Sequence, residues 1–163
     1  MLATLAAFLL IGLPEDAIVR HTQDGRDVIR PTWSPDGRRL AFAREERGGT
    51  AIWQYVLDLD SAEPARRLTE RTDPDYQGVF SPDGRRLLFT VVPRSGTQGN
   101  CDIAVIHADG SGLTVVVDDQ GGGLSHQEWP TWSPLGERFA FSSTHEGNQE
   151  IYSAAADGSD ITR

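Results

Sequence analysis

The sequence predicts an all-β protein made of β-propeller blades: about three four-stranded antiparallel units, forming an incomplete ring or half of a six-bladed propeller. Three observations lead there. One ten-residue pattern occurs three times, as Trp33–Phe42, Phe80–Phe89 and Trp132–Phe141. Its spacing, counted between Ser34, Ser81 and Ser133, is 47 and then 52 residues, which suits a repeat of four short strands. The 17 glycines and 9 prolines fall between short apolar runs, the distribution of a strand-and-turn protein.

Each copy of the pattern reads as a tight turn between two strands. In Ser34-Pro35-Asp36-Gly37 and Ser81-Pro82-Asp83-Gly84, proline presets φ near −65°, aspartate suits the third position and glycine accepts the left-handed exit. Apolar residues then leave at strand period: Leu40 and Phe42, Leu87 and Phe89, Phe139 and Phe141. A glycine precedes an isoleucine by four residues in every unit (Gly48 and Ile52, Gly99 and Ile103, Gly147 and Ile151). A third strand starts there. Polar turns follow at Asp109-Gly110-Ser111 and Asp157-Gly158-Ser159, and the fourth, outer strand is clearest at Arg66–Thr69. Blades are therefore expected around 30–70, 76–118 and 128–163. Pro93–Gly96 and Gly121–Gly123 lengthen loops, where binding surfaces gather.

The ends frame the count. Residues 1–17 form an apolar N-terminal segment whose uncharged stretch Leu2–Leu13 is too short for a stable membrane span. It suits the core of an export signal or its remnant, although no basic residue follows Met1 and no small-x-small site precedes Pro14. A segment packed on the domain and a start within a longer reading frame are the other readings. Near 18–22, Ile18-Val19-Arg20-His21-Thr22 reads as a spare outer strand, since Thr22 precedes Trp33 by the same 11 residues that separate Thr69 from Phe80. The third unit stops at Thr162-Arg163, where its own outer strand would begin. Propellers close with four to eight blades. Three blades thus read either as a piece of a longer propeller or as half of a homodimer completing a six-bladed ring.

Chemistry is sparse. A formal net charge of −9 disfavours nucleic acid as a partner. The lone Cys101 rules out an internal disulfide; it aligns with Gln149 and, with no base beside it in sequence, is expected to be incidental. His126 and His145, with Glu128 or Glu146, can ligate a metal in principle, but lie in loops without tight histidine spacing and are expected to be solvated. His21 and His107 suggest nothing further. Gly123-Leu124-Ser125-His126-Gln127 starts like a nucleophile elbow and ends in glutamine. Phosphate-cradling loops are missing. The acid pairs Asp58/Asp60, Asp73/Asp75 and Asp118/Asp119 are expected in solvated turns. Arg38-Arg39 and Arg85-Arg86 are expected to meet acidic turns of their own blade, and Trp33 and Trp132 to be buried between blades. No catalytic, cofactor-binding or metal-binding set is assigned, and no cofactor is expected.

The succession W-S-P-D-G-R-R-L-A-F, G-N-x-E-I-Y and D-G-S-x-x-T-R resembles the WD-like propeller repeats of the TolB type over about residues 18–163. Phe80 in place of tryptophan, Leu135 in place of the turn aspartate and a longer second unit depart from that pattern. The resemblance implies a non-catalytic scaffold for protein–protein interaction in an envelope, periplasmic or otherwise exported setting, with a protein partner on one face or in the central channel. The alternative is an accessory propeller of a prolyl-oligopeptidase-like serine peptidase or of a metal-dependent oligosaccharide lyase; such lyases use a related propeller with histidine ligands.

Overall fold

A computed structural model describes residues 19–23, 25–45, 52–71, 74–93, 100–118 and 125–163. The apolar start, Ile18, Gly48, Gly99, Asp73, Asp119 and the runs 94–96 and 121–123 lie outside them. Blade 1 comprises β1 (Val28–Trp33), β2 (Arg39–Glu45), β3 (Ile52–Asp58) and β4 (Arg66–Arg67). Blade 2 comprises β5 (Asp75–Phe80), β6 (Arg86–Val91), β7 (Asp102–His107) and β8 (Thr114–Val117). Blade 3 holds β9 (Gln127–Trp132), β10 (Arg138–Ser143) and β11 (Glu150–Ala155). Strands follow one another in chain order within each antiparallel sheet. The third sheet has three strands, and a single antiparallel bridge, Ser153 to Thr162, stands where an outer strand begins. The all-β blade architecture expected from the repeats is what the chain adopts.

In the first two turns the serine and aspartate add side-chain bonds to the backbone closure. Ser34 Oγ donates to Asp36 Oδ1 at 2.5 Å, Arg38 N donates to the same oxygen at 3.1 Å, and Arg39 N donates to Ser34 Oγ at 2.9 Å. Ser81 and Asp83 repeat the arrangement with Arg85 N and Arg86 N. With Leu135 in the aspartate position, blade 3 keeps the Gly136 N to Ser133 O bond at 2.9 Å and the Arg138 N to Ser133 Oγ bond at 3.2 Å, while Leu135 is exposed. The backbone closure, not the aspartate, sets the turn. Asp109 and Asp157 accept from the amide and hydroxyl of Ser111 and Ser159 in the same way.

Strand alternation divides each middle strand between two neighbours. Leu87, Phe89 and Val91 of β6 pack with Ala41 and Val56 of blade 1. Leu88 faces the other way, into Phe139, Phe141 and Tyr152 of blade 3. Aromatic side chains point back toward the preceding blade and meet aliphatic ones pointing forward: Phe80 and Phe89 cluster with Ala41, Val56 and Leu68, and Phe139, Phe141 and Tyr152 with Leu88, Ile103 and Val105. On blade 1 the backward set, Phe42, Tyr55 and Leu57, forms a third buried cluster, with no blade against it among the described residues.

Several expectations are corrected. Trp33 is 58% exposed because the blade that would cover it is not among the described residues, whereas Trp132 is half-buried and meets Phe139 edge-on. Val19–Gln23 is irregular, not a strand; His21, Thr22 and Gln23 line a cavity with Phe42, Arg44 and Leu57 of blade 1 instead. Asp75 is fully buried at the start of the innermost strand β5, 4.0 Å from Arg71, rather than in a solvated turn. Arg38 does pair with Asp60 of its own blade, an exposed contact at 3.6 Å, but Arg39 reaches across to the next blade. It donates to Gly84 O at 2.9 Å and lies over Phe80. Arg86 likewise covers Trp132.

The turns also nest. A Cβ on Gly84 would lie 3.5 Å from Pro35 Cδ, and one on Gly136 3.3 Å from Pro82 Cδ. At the outer rim, Arg66 of β4 donates to Ala108 O and Asp109 O of blade 2, and Gly158 of blade 3 abuts the Val116 carbonyl of blade 2.

Two predictions follow from these contacts. A Cβ on Gly158 would fall 1.9 Å from Val116 O at a φ of +87°, so Gly158→Ala should cost on the order of 2–4 kcal/mol in urea unfolding. Gly37→Ala, at positive φ but in open space, should cost only about 1–2 kcal/mol; equal losses would show that the blade contact is not tight. Hydrogen bonds, first from the serine hydroxyl and then from the backbone, hold Asp36, Asp83, Asp109 and Asp157 below the ordinary carboxylate value. Depressed folded values mean stability that is present above the unfolded aspartate value of about 3.9 and is lost as pH falls through the folded ones. Melting temperature should therefore hold from neutrality to about pH 5 and drop below about pH 4. The double change Asp36→Asn and Asp83→Asn should make that drop shallower, as read by circular dichroism.

Candidate functional site

The innermost strands carry a feature that simple alternation conceals. Arg30, Gln77 and Trp129, each three residues before the turn aromatic, adopt φ of 55°, 63° and 58°. The register of β1, β5 and β9 against its neighbour shifts there. These bulges turn side chains toward the space beside the innermost strands, where Arg30, Pro31, Thr32, Gln77, Gly78, Val79, Trp129 and Pro130 line one concavity. Arg30 of blade 1 stacks on Trp129 of blade 3 at 4.3 Å. Gln77 Oε1 accepts from Thr90 Oγ1 and from Trp129 N, both at 2.8 Å. Left-handed backbone at a non-glycine residue is costly and persists only where surrounding contacts enforce it. Here the same strain recurs in every blade, so it belongs to the architecture.

A second constellation lies at the junction of blades 2 and 3, on the side opposite the Ser-Pro turns. Cys101, beside the start of β7, forms a parallel bridge with His126, beside the start of β9, and Gln127 N donates to Cys101 O at 2.9 Å. This pairing brings Cys101 Sγ, a ring nitrogen of His126 and a carboxylate oxygen of Glu128 within 4.8 Å of one another. Tyr76, from β5, donates its hydroxyl to Glu128 Oε1 at 2.8 Å and lies 3.3 Å from Cys101 Sγ; Sγ is 3.7 Å from the same carboxylate oxygen. Cys101 is buried, and the other three are half-buried.

The electrostatics of this cluster follow from burial and crowding. Burial first, and then the Glu128 charge, push the Cys101 thiol above its ordinary value, although the Tyr76 hydroxyl works the other way. Burial, followed by the hydrogen bonds to Cys101 and Glu128, raises the Tyr76 hydroxyl as well. A thiol held protonated is a poor nucleophile. The cluster offers one sulfur, one nitrogen and one oxygen donor, the mixture a borderline divalent ion accepts.

Of the sequence candidates, His126 and Glu128 come together and are joined by Cys101 and Tyr76. His145 and Glu146 lie apart: His145 is exposed and lines a different cavity with Phe141, Tyr152 and Ile161, and Glu146 pairs with Arg163. His107 is exposed, its backbone amide donating to Ser111 O. Cys101 and His126 are 25 residues apart in sequence, so only the blade-to-blade register reveals their proximity. The alignment of Cys101 with Gln149 located it at the start of a third strand but not beside the neighbouring blade.

No protein-family model matches the chain. Lasso peptide isopeptidase AtxE2 of Asticcacaulis excentricus is 29% identical over 58 residues, which is 35% of this chain and 8% of that protein. Among solved structures, a TolB-like protein of Agrobacterium tumefaciens superposes with a TM-score of 0.70 at 24% identity, over 83% of this chain and 48% of that one. TolB of Acinetobacter baumannii superposes with a TM-score of 0.62 at 24% identity, over 85% of this chain and 32% of that one. The chain spans less than half the length of each of these proteins. No helix among the described residues is long and apolar enough to cross a membrane. Strand order, blade packing and structural likeness agree that the described residues are TolB-like propeller blades.

Proposed function

We propose that this chain is a non-catalytic propeller scaffold that works by association with other protein. The observation that carries the reading is the asymmetry of its two end faces. Blade 1 presents Trp33 at 58% exposure and Ile29 at 40%, while its backward-facing cluster of Phe42, Tyr55 and Leu57 is already buried. Blade 3 presents small forward-facing side chains, Ala140 and Ser142, with an exposed Ile151 nearby. Backward-facing aromatics against forward-facing aliphatic side chains is the rule at both internal junctions, a pairing that the head of one arc and the tail of another would repeat. A second copy docked head to tail at both ends makes a six-bladed ring, with each Trp33 receiving an arginine as Phe80 and Trp132 do. Apolar patches left on a solitary arc favour association. An envelope or otherwise exported setting accords with the TolB likeness.

Sedimentation equilibrium at micromolar concentration tests the reading. The expected result is twice the chain's mass, falling to the monomer in Trp33→Asp. A stable wild-type monomer would overturn the dimeric ring.

A second reading, an accessory propeller of a serine peptidase, is favoured by the 58-residue likeness to the isopeptidase. A continuous reading frame carrying G-x-S-x-G on an α/β-hydrolase pattern would select it; further Ser-Pro-Asp-Gly turns alone would support the scaffold.

A further inference from the structure

The junction of blades 2 and 3 contains more than packing requires. The geometry points to a divalent-metal clip there: we propose that Cys101, His126 and Glu128 bind one Zn²⁺ ion that ties the two blades together. The donor set is the first argument. Sulfur, imidazole nitrogen and carboxylate oxygen are the three ligand types Zn²⁺ takes from proteins, and among the described residues this is where three such atoms gather within 4.8 Å. Spacing is the second. A tetrahedral Zn²⁺ holds a sulfur and an oxygen ligand about 3.6 Å apart, and Cys101 Sγ stands 3.7 Å from Glu128 Oε1.

Support around the ligands is the third argument. The Tyr76 hydroxyl donates to Glu128 Oε1, the kind of outer-shell bond that orients a metal-binding carboxylate. The His126 backbone is pinned by Thr144, whose Oγ1 accepts from His126 N at 2.9 Å and whose N donates to His126 O at 3.2 Å. Ligands on these two blades approach through the Cys101–His126 bridge before any metal arrives. With His126 and Glu128 only half-buried, an ion has a path in and a water completes its fourth position. The clip goes beyond the scaffold reading and does not depend on it. Fixing blade 2 to blade 3 leaves both end faces as they are.

Titration of the reduced wild-type chain with Co²⁺, a spectroscopic substitute for Zn²⁺, provides the test. The expected result is saturable uptake of one ion per chain, with a thiolate-to-cobalt charge-transfer band and intense tetrahedral d–d absorption, both abolished by an equivalent of Zn²⁺. Cys101→Ser should lose the charge-transfer band, and Tyr76→Phe should retain it with affinity about 10–100-fold lower. Zn²⁺ should raise the melting temperature of the wild type and leave that of Cys101→Ser unchanged. Absence of one-to-one uptake by the wild type would overturn the proposal without recourse to any variant. So would a band that persists in Cys101→Ser. Either result would leave the cluster as a thiol–tyrosine–carboxylate hydrogen-bond network. Oligomeric state is read separately by sedimentation, so failure of the clip and failure of the ring are distinguishable.

Discussion

Everything in this molecule depends on how one blade reads the next. Arg39 passes over the ring of Phe80 and ends on the Gly84 carbonyl; Arg86 repeats the ring contact on Trp132; Pro35 and Pro82 fill the space that the following turn's glycine leaves open. An arginine–ring contact contributes about 0.5–2 kcal/mol, comparable to or less than the roughly 1.5–3 kcal/mol from burying one of the core phenylalanines. The aromatics therefore drive the stacking, and the arginine and proline choose its register. That division explains why a turn aspartate can become Leu135 without loss of the turn: the aspartate faces water, whereas the turn glycine holds left-handed backbone in all three copies and, in blades 2 and 3, also meets the proline of the preceding turn.

The same register accounts for the clustered chemistry. Strands from adjacent blades lie side by side at the loop end only if the turn end is in step, and the Cys101–His126 bridge is where that alignment brings reactive side chains together. Nested turns on one side and the Tyr76–Cys101–Glu128 contacts on the other thus hold the same junction at its two ends. The junction of blades 1 and 2 has no corresponding group of donors among the described residues. It relies on the apolar cluster around Phe80, Leu87 and Phe89 and on Arg66 at the rim.

Much of the fold was legible because its signals are local. Ser-Pro-x-Gly fixes a turn within four residues, and alternating Leu and Phe fix the strand that follows. What could not be read depends on neighbours. Left-handed backbone at Arg30, Gln77 and Trp129 bears no glycine or asparagine to announce it; it follows from bulges in strands that must bend at the innermost position. Residue order alone pairs the arginines with acidic turns of their own blade, and Arg38 does behave so, but Arg39 has a ring and a carbonyl across the junction within reach. The repeat alone implies a buried Trp33, yet a repeat describes a residue's environment only where a neighbouring unit supplies it, and none stands against Trp33 among the described residues.

Trp33 also shows why a blade arc is chemically directional. Phe80 and Trp132 hold the same place in their blades, and each is covered by an arginine from the turn before. The arginine in the corresponding place of blade 3, Arg138, instead donates to Ser153 Oγ and Asp160 O of its own blade. Each end therefore carries one half of a contact that the interior makes twice. The aromatic half is exposed at the head; the cationic half is turned inward at the tail, held by neutral oxygen acceptors rather than by a carboxylate. Turning it outward exchanges two neutral hydrogen bonds for a ring and a carbonyl, a change of similar energetic size on either side. Should a second arc dock there, the apolar area it would cover is that of Trp33 and Ile29, since Phe42 and Tyr55 are already buried, and the arginine would determine only which way round that blade sits.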